Sequence, residues 1–200
     1  MKRAILAAAA VVTLQGCAQM GVASSSGGWT TLFDGSGLSS FVPVGDANWR
    51  VEGNTVVADK GTGFLVTREE YADFEIKAEF YAEADTNSGI FIRCTDKVNL
   101  TSVVCYEVNI WDMRPVQKYG TGAIVDVAAV DPMPRAGGKW NTYVITAKGD
   151  HMVVMLNGVK TADVHHSRNK NGVIGLQYAP GTKKDSGLPI KFRNVQIRRL

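Results

Sequence analysis

Cysteine and histidine are scarce in these 200 residues, at three each. No histidine lies near Cys94 or Cys105 in sequence, so a metal role for that pair finds no neighbouring ligand. Apolar residues nowhere recur convincingly at the helical period, which argues against helical and α/β folds. No basic stretch carries interleaved aromatics, so nothing points to nucleic acid. An acidic excess is missing too, since 22 Lys and Arg stand against 19 Asp and Glu. The apolar run from Ala4 to Leu14 is too short for a membrane-spanning helix, which takes roughly 20 such residues. Internal repeats are absent.

What is present begins with Lys2 and Arg3 ahead of that short apolar run, the pattern of a secretory signal peptide. The run closes on Leu14-Gln15-Gly16-Cys17, which resembles the bacterial lipobox. The resemblance implies removal of residues 1–16 and lipidation of Cys17, with three acyl chains where a single one anchors only marginally. Ala18, rather than Asp, then implies an outer-membrane anchor facing the periplasm or the exterior. Ordinary secretion, with cleavage near Gly16 or Ala18, is the alternative. Loss of Lys2 and Arg3 lowers the formal charge from +3 to +1, so the charge balance says little about partners. Residues 17–28, which include Ser24-Ser25-Ser26-Gly27-Gly28, read as a flexible tether, and residues 29–200 as one domain.

That domain reads as all-β. Trp49–Glu52 and Thr55–Ala58 make a hairpin across Gly53-Asn54, and Gly63–Val66 is a further short strand. Tyr71–Phe80 alternates, with Phe74, Ile76, Ala78 and Phe80 inward. Pro115–Ala136 reads as loop with a short strand at Gly122–Val125. Trp140–Ala147 pairs with His151–Leu156, and His165-His166 falls in a loop. Asn171–Tyr178 and Lys191–Arg198 close the chain. At least nine short strands, with 21 glycines for their turns, predict a β-sandwich.

The centre of the pattern is a strand pair, Asn87–Arg93 and Cys105–Asp112. Alternation puts Tyr106, Val108 and Ile110 on one face and Glu107, Asn109 and Trp111 on the other. A carboxylate, an amide and an indole in a row suit a sugar, which offers hydroxyls along its edge and a C–H face for an aromatic plate. An exposed strand face with a half-buried Trp is the alternative. Cys94 and Cys105 stand at facing positions, which predicts a disulfide in an oxidising compartment, or else two buried thiols.

The motifs resemble a known family over almost the whole domain. Leu32-Phe33-Asp34-Gly35, Asp73-Phe74-Glu75, Asn87-Ser88-Gly89-Ile90, Arg93, Tyr106-Glu107 and Asp112 are followed by Thr121-Gly122-Ala123 and Trp140-Asn141. Leu156-Asn157-Gly158, Gly175-Leu176-Gln177 and Phe192-Arg193-Asn194 complete the order. The chain is similar to the 3-keto-disaccharide hydrolases. The resemblance implies a concanavalin-like jelly-roll β-sandwich and action on glycosides already oxidised at C3. A C3 ketone acidifies the C2 hydrogen, so a base removes it, the C1 substituent leaves, and water adds back. Glu107 is the candidate base and Arg93 the candidate enolate stabiliser; a cross-strand ion pair with no catalytic task is the alternative for both. Asn87, Asn109, Trp111, Asp112, Gln177 and Tyr178 are the candidate substrate contacts.

Asn109 stands where a retaining glycosidase would place its second carboxylate, which argues against a paired-carboxylate mechanism. The chain departs from the family after Leu176-Gln177. Tyr178-Ala179-Pro180 replaces an Asp-His-Gly whose His would serve as metal ligand or acid. A divalent metal is therefore left open, without an assigned ligand set. The expected partners are a carbohydrate and, through Cys17, a membrane. A catalytically silent carbohydrate-binding lipoprotein is the second reading.

Overall fold

The computed structural model describes residues 28–183 and 187–200. The signal segment, Cys17 and most of the tether lie outside them. Period-two alternation becomes strands throughout: β1 (Thr30–Phe33), β2 (Phe41–Gly45), β3 (Arg50–Glu52), β4 (Thr55–Ala58), β5 (Gly63–Thr67), β6 (Phe74–Ala82) and β7 (Asn87–Cys94). They are followed by β8 (Tyr106–Ile110), β9 (Lys139–Lys148), β10 (His151–Leu156), β11 (Val159–His165), β12 (Val173–Ala179) and β13 (Ile190–Arg199). A single 3₁₀ turn, Gln117–Tyr119, is the one helical element among the described residues.

The strands form two antiparallel sheets. One runs β11-β10-β9-β6-β13-β4-β3, with β1 beside β13, and the other runs β2-β5-β12-β7-β8. Their inner faces bury one core that includes Phe74, Ile76, Phe80, Ile90, Tyr106, Val108, Tyr143 and Leu176. The fold is the concanavalin-like jelly-roll sandwich. Burying one face of each sheet removes apolar area from water at about 25 cal/mol per Å², which ties every strand's register to its alternation.

Three local readings change. β2 is an unforeseen strand, because Pro43 interrupts its pattern. It lies at the edge of its sheet, paired only with β5, where a missing N–H does no harm. β11 extends to His165, so that residue ends a strand rather than lying in a loop. Asn157 and Gly158 both take positive φ, 52° and 81°, in the two-residue turn that joins β10 to β11. The expected strand at Gly122–Val125 is instead a run of isolated contacts against the free edge of β8, with Ile124 bridged to Val108 and Ala128.

Cys94 and Cys105 are joined by a disulfide, their Cα atoms 4.2 Å apart. The bridge packs in a smaller apolar cluster with Val66, Phe91, Leu100 and Val173, on the outer face of the five-stranded sheet.

Candidate functional site

The outer face of the β7–β8 pair carries the polar row that alternation predicts. Tyr106, Val108 and Ile110 enter the core, so Glu107 and Asn109 point outward. The cross-strand register places Glu107 beside Phe91 and Asn109 beside Gly89. On the next strand, β12, Gln177 also pairs with Gly89 and, on its other side, with Phe64 of β5. Phe64 and Phe91 meet edge to face with centroids 5.0 Å apart. The face therefore grades from Glu107, Asn109 and Gln177 to an apolar floor.

This face is not left as an open sheet edge. Residues 122–125 run along β8, where the Asn109 amide donates to the Ala123 carbonyl at 3.0 Å and Val125 donates to the Glu107 carbonyl at 2.9 Å. The same connection carries Arg114 back over the site. Its Nη1 lies 3.7 Å from Glu107 Oε1, and its guanidinium sits 5.9 Å from the centre of the Trp111 ring. The Trp111 indole N–H donates to Asp85 Oδ1 at 3.1 Å. Asp85 is itself held by the Thr182 amide and hydroxyl, at 2.9 and 2.7 Å. Trp111 is thus fixed and half-buried, linked to Glu107 through Arg114.

Glu107 is only 7% exposed. Burial pushes its carboxyl up to about 7, Arg114 partly offsets this, and Asp126 adds to it. A group poised near neutrality on a polar face is a candidate general base. The same shift has a consequence for stability. Below the ordinary value of 4.5 the carboxyl is neutral both folded and unfolded, and no penalty arises. Between 4.5 and about 7 the folded chain keeps a proton that the unfolded chain releases, so stability falls as pH rises. Glu107→Gln, which removes the charge at constant shape, is expected to stabilise the protein by about 3 kcal/mol at pH 8 and by nothing at pH 4. Denaturant melts of both proteins at the two pH values measure this. An equal effect at both would show that burial does not hold the carboxyl's proton.

Three expected site residues stand elsewhere. Arg93 was the candidate partner of Glu107, but its side chain does not reach the polar face. Phe91 and Cys94 pair with Gly175 and Val173, so β7 has one residue more than β12 across that span. Arg93 takes φ 51° within this bulge, which turns its side chain away from the Glu107 face. There it is fully buried and bonded to the carbonyls of Ala72 at 2.8 Å and Gly149 at 2.7 Å, and to Asp73 Oδ1 at 3.1 Å. Arg93 is therefore a structural staple between turns.

Asp112 was expected to contact substrate, but its carboxylate is fully engaged. Oδ1 accepts from the Thr121 hydroxyl at 2.6 Å, and Oδ2 accepts from the amides of Ala136 and Gly137, each at 2.9 Å. β8 has ended by then, so alternation no longer governs its direction. Tyr178, also an expected contact, belongs to the core because it follows outward-facing Gln177. Asn87 lies half-buried at the start of β7, on the rim.

The sequence reading missed Arg114 and Asp85. Arg114 follows the strand's end and precedes Pro115, so no periodicity signals where it points. No set of three His, Cys, Asp or Glu converges among the described residues. Cavities of about 380 Å³, near Arg68 and Arg199, and about 490 Å³, near Asp73 and Lys170, lie apart from these residues.

The model of the 3-keto-alpha-glucoside-1,2-lyase-like domain family matches residues 28–198. A crystal structure named as a candidate glycosyl hydrolase from Parabacteroides distasonis is 19% identical, with a TM-score of 0.74 over 86% of this chain and 94% of that one. A second such structure from the same organism is 24% identical, with a TM-score of 0.70 over 86% of this chain and 100% of that one. The carbohydrate-binding module CBM66 from Bacillus subtilis is 16% identical, with a TM-score of 0.56 over 86% and 95%. At these identities the likeness is one of fold. No curated protein matches the sequence.

Proposed function

We infer that this chain, which belongs to the 3-keto-alpha-glucoside-1,2-lyase-like family, cleaves 3-keto-glycosides by elimination and hydration with Glu107 as the base. The observation that carries this reading is the buried Glu107 carboxyl, poised at about 7 with the Arg114 guanidinium 3.7 Å away. The C2 hydrogen and the C3 oxygen of a 3-keto sugar sit on adjacent carbons, so a base and a cation side by side match them. Glu107 takes the C2 proton, Arg114 balances the charge that develops on the C3 oxygen, and the C1 substituent departs. Trp111, braced by Asp85, offers a plate for the sugar's C–H face. Arg114 thus takes the role that the sequence assigned to Arg93.

The direct experiment supplies the mature chain with the nitrophenyl glycoside of 3-keto-glucose and, separately, with the unoxidised nitrophenyl glucoside. Nitrophenol is expected from the first only, because without the ketone the C2 hydrogen is not acidic. Release from both substrates would point to ordinary glycoside hydrolysis and end the elimination reading. Titratable binding of the keto sugar with no release would establish the second reading, a carbohydrate-binding protein. The likeness in fold to a carbohydrate-binding module favours that alternative. The lipobox at Leu14–Cys17 supports a lipid anchor on Cys17 in the cell envelope. Labelling by a fatty-acid analogue, lost in Cys17→Ser, tests it.

A further inference from the structure

We propose that the cavity of about 380 Å³ beside Arg68 and Arg199 is a second binding site, for an acidic sugar unit with one carboxylate beside several hydroxyls. The cavity opens between the two sheets. One wall belongs to the larger sheet, through Thr30 of β1 and Ile197 and Arg199 of β13. Thr30 lies directly opposite Ile197, and Arg199 is two residues on, so all three side chains share a face. The other wall belongs to the smaller sheet, where Ser39 and Ser40 lead into β2 and Arg68 and Glu69 follow β5. A volume of this order falls within that of ordinary small-molecule sites, about 300–1,000 Å³.

The side chains say what would fill it. Arg68 is tied down twice: its amide donates to the Ser40 carbonyl at 3.0 Å, and its Nε donates to the Ser39 carbonyl at 2.8 Å. Its Nη1 and Nη2 have no partner among the described residues. That fork of N–H groups matches a carboxylate in two parallel bonds. Arg199 stands on the opposite wall, 4.6 Å from the centre of the Tyr71 ring, with its Nη2 2.8 Å from Glu69 Oε2. Two guanidiniums against one carboxylate leave the cavity net positive. Thr30, Ser39 and Ser40 bring hydroxyls that can each donate and accept, as the hydroxyls of a sugar require. Leu32, Tyr71 and Ile197 are buried and form an apolar floor for the sugar's C–H face.

A bare anion would occupy the Arg68 fork and leave the hydroxyls and the floor unused. A neutral sugar would do the reverse. An acidic sugar uses all three features at once. Glu69 opposes the anion only weakly, because it is paired with Arg199 and largely exposed. The cavity shares no lining residue with the Glu107 face, so both sites can be filled together. Attachment to an acidic glycan through this cavity needs no catalysis, and it stands whether or not Glu107 is a base.

The test is an NMR titration of the isotope-labelled mature chain with glucuronate and, separately, with glucose and with acetate. Glucuronate is expected to move the amide signals of Ser40, Arg68 and Tyr71 at concentrations about tenfold below those that glucose or acetate needs. Arg68→Met should weaken glucuronate by about tenfold or more, the worth of bonds to a charged group. Glu69→Gln should tighten it by about threefold at low salt, a gain that misfolding cannot produce. Glu107→Gln should leave this affinity unchanged, and Arg68→Met should leave cleavage of a 3-keto-glucoside unchanged. Glucose that binds as well as glucuronate would overturn the acidic ligand, and acetate that does so would overturn the sugar. An affinity unaltered in both Arg68→Met and Glu69→Gln, shifts confined to the surroundings of Glu107, or no shift at all would end the inference. Each of those results leaves the reading of Glu107 to its own experiment.

Discussion

Glu107→Gln is expected to lower turnover of a 3-keto-glucoside by about 10³-fold, within the range measured for loss of a general base. The substitution keeps the size of the side chain and removes only its ability to take a proton. The wild-type pH profile should show the same group. The base is the ionised form, so kcat/KM should fall tenfold for each pH unit below about 7 and level off above it. A break near the ordinary glutamate value of 4.5 would mean that the site is wetter with substrate present than the free protein shows. Activity that survives Glu107→Gln would remove Glu107 as the base altogether. Because the substitution should stabilise the protein at high pH, loss of activity cannot be mistaken for unfolding.

Arg93→Met should have the opposite character, a loss of about 1–3 kcal/mol of stability. Methionine fills much of the same volume, but the buried guanidinium's bonds to the carbonyls of Ala72 and Gly149 and to Asp73 are lost. Ala72, Gly149 and Asp73 all reach water once it is gone, so no stranded buried charge adds to the cost. Denaturant melts measure the loss. Cleavage by the folded fraction, followed well below the melting temperature, separates this from a role in the reaction. If stability holds while turnover drops by orders of magnitude, Arg93 acts at the site and the bulge in β7 is not the rigid feature described here.

The polar row of Glu107 and Asn109 was legible because β8 is short and regular, although both of its faces are buried. Alternation then decides which side chains leave the core. Tyr178 yields to the same rule, since Gln177 faces outward and its neighbour must face inward. Arg93 shows where the rule stops: one extra residue in β7 reverses the side on which it emerges, and no residue type nearby announces a bulge. Asp112 and Arg114 lie just past the end of β8. Their directions depend on turns and on bonds to Thr121, Ala136 and Gly137, partners that are distant in the chain.

By itself, the sequence determined the all-β class, the inward and outward faces of the long strands, the cysteine pairing and the family. Each of these follows from patterns two residues apart or from motifs in a set order. Tertiary structure alone decided which cation stands beside Glu107, why that carboxyl holds its proton to about 7, and that Asn109 and Gln177 flank the same residue, Gly89. Those depend on strand order and on loops that return from far along the chain. Burial and convergence are properties of the folded surroundings, and no local pattern encodes them.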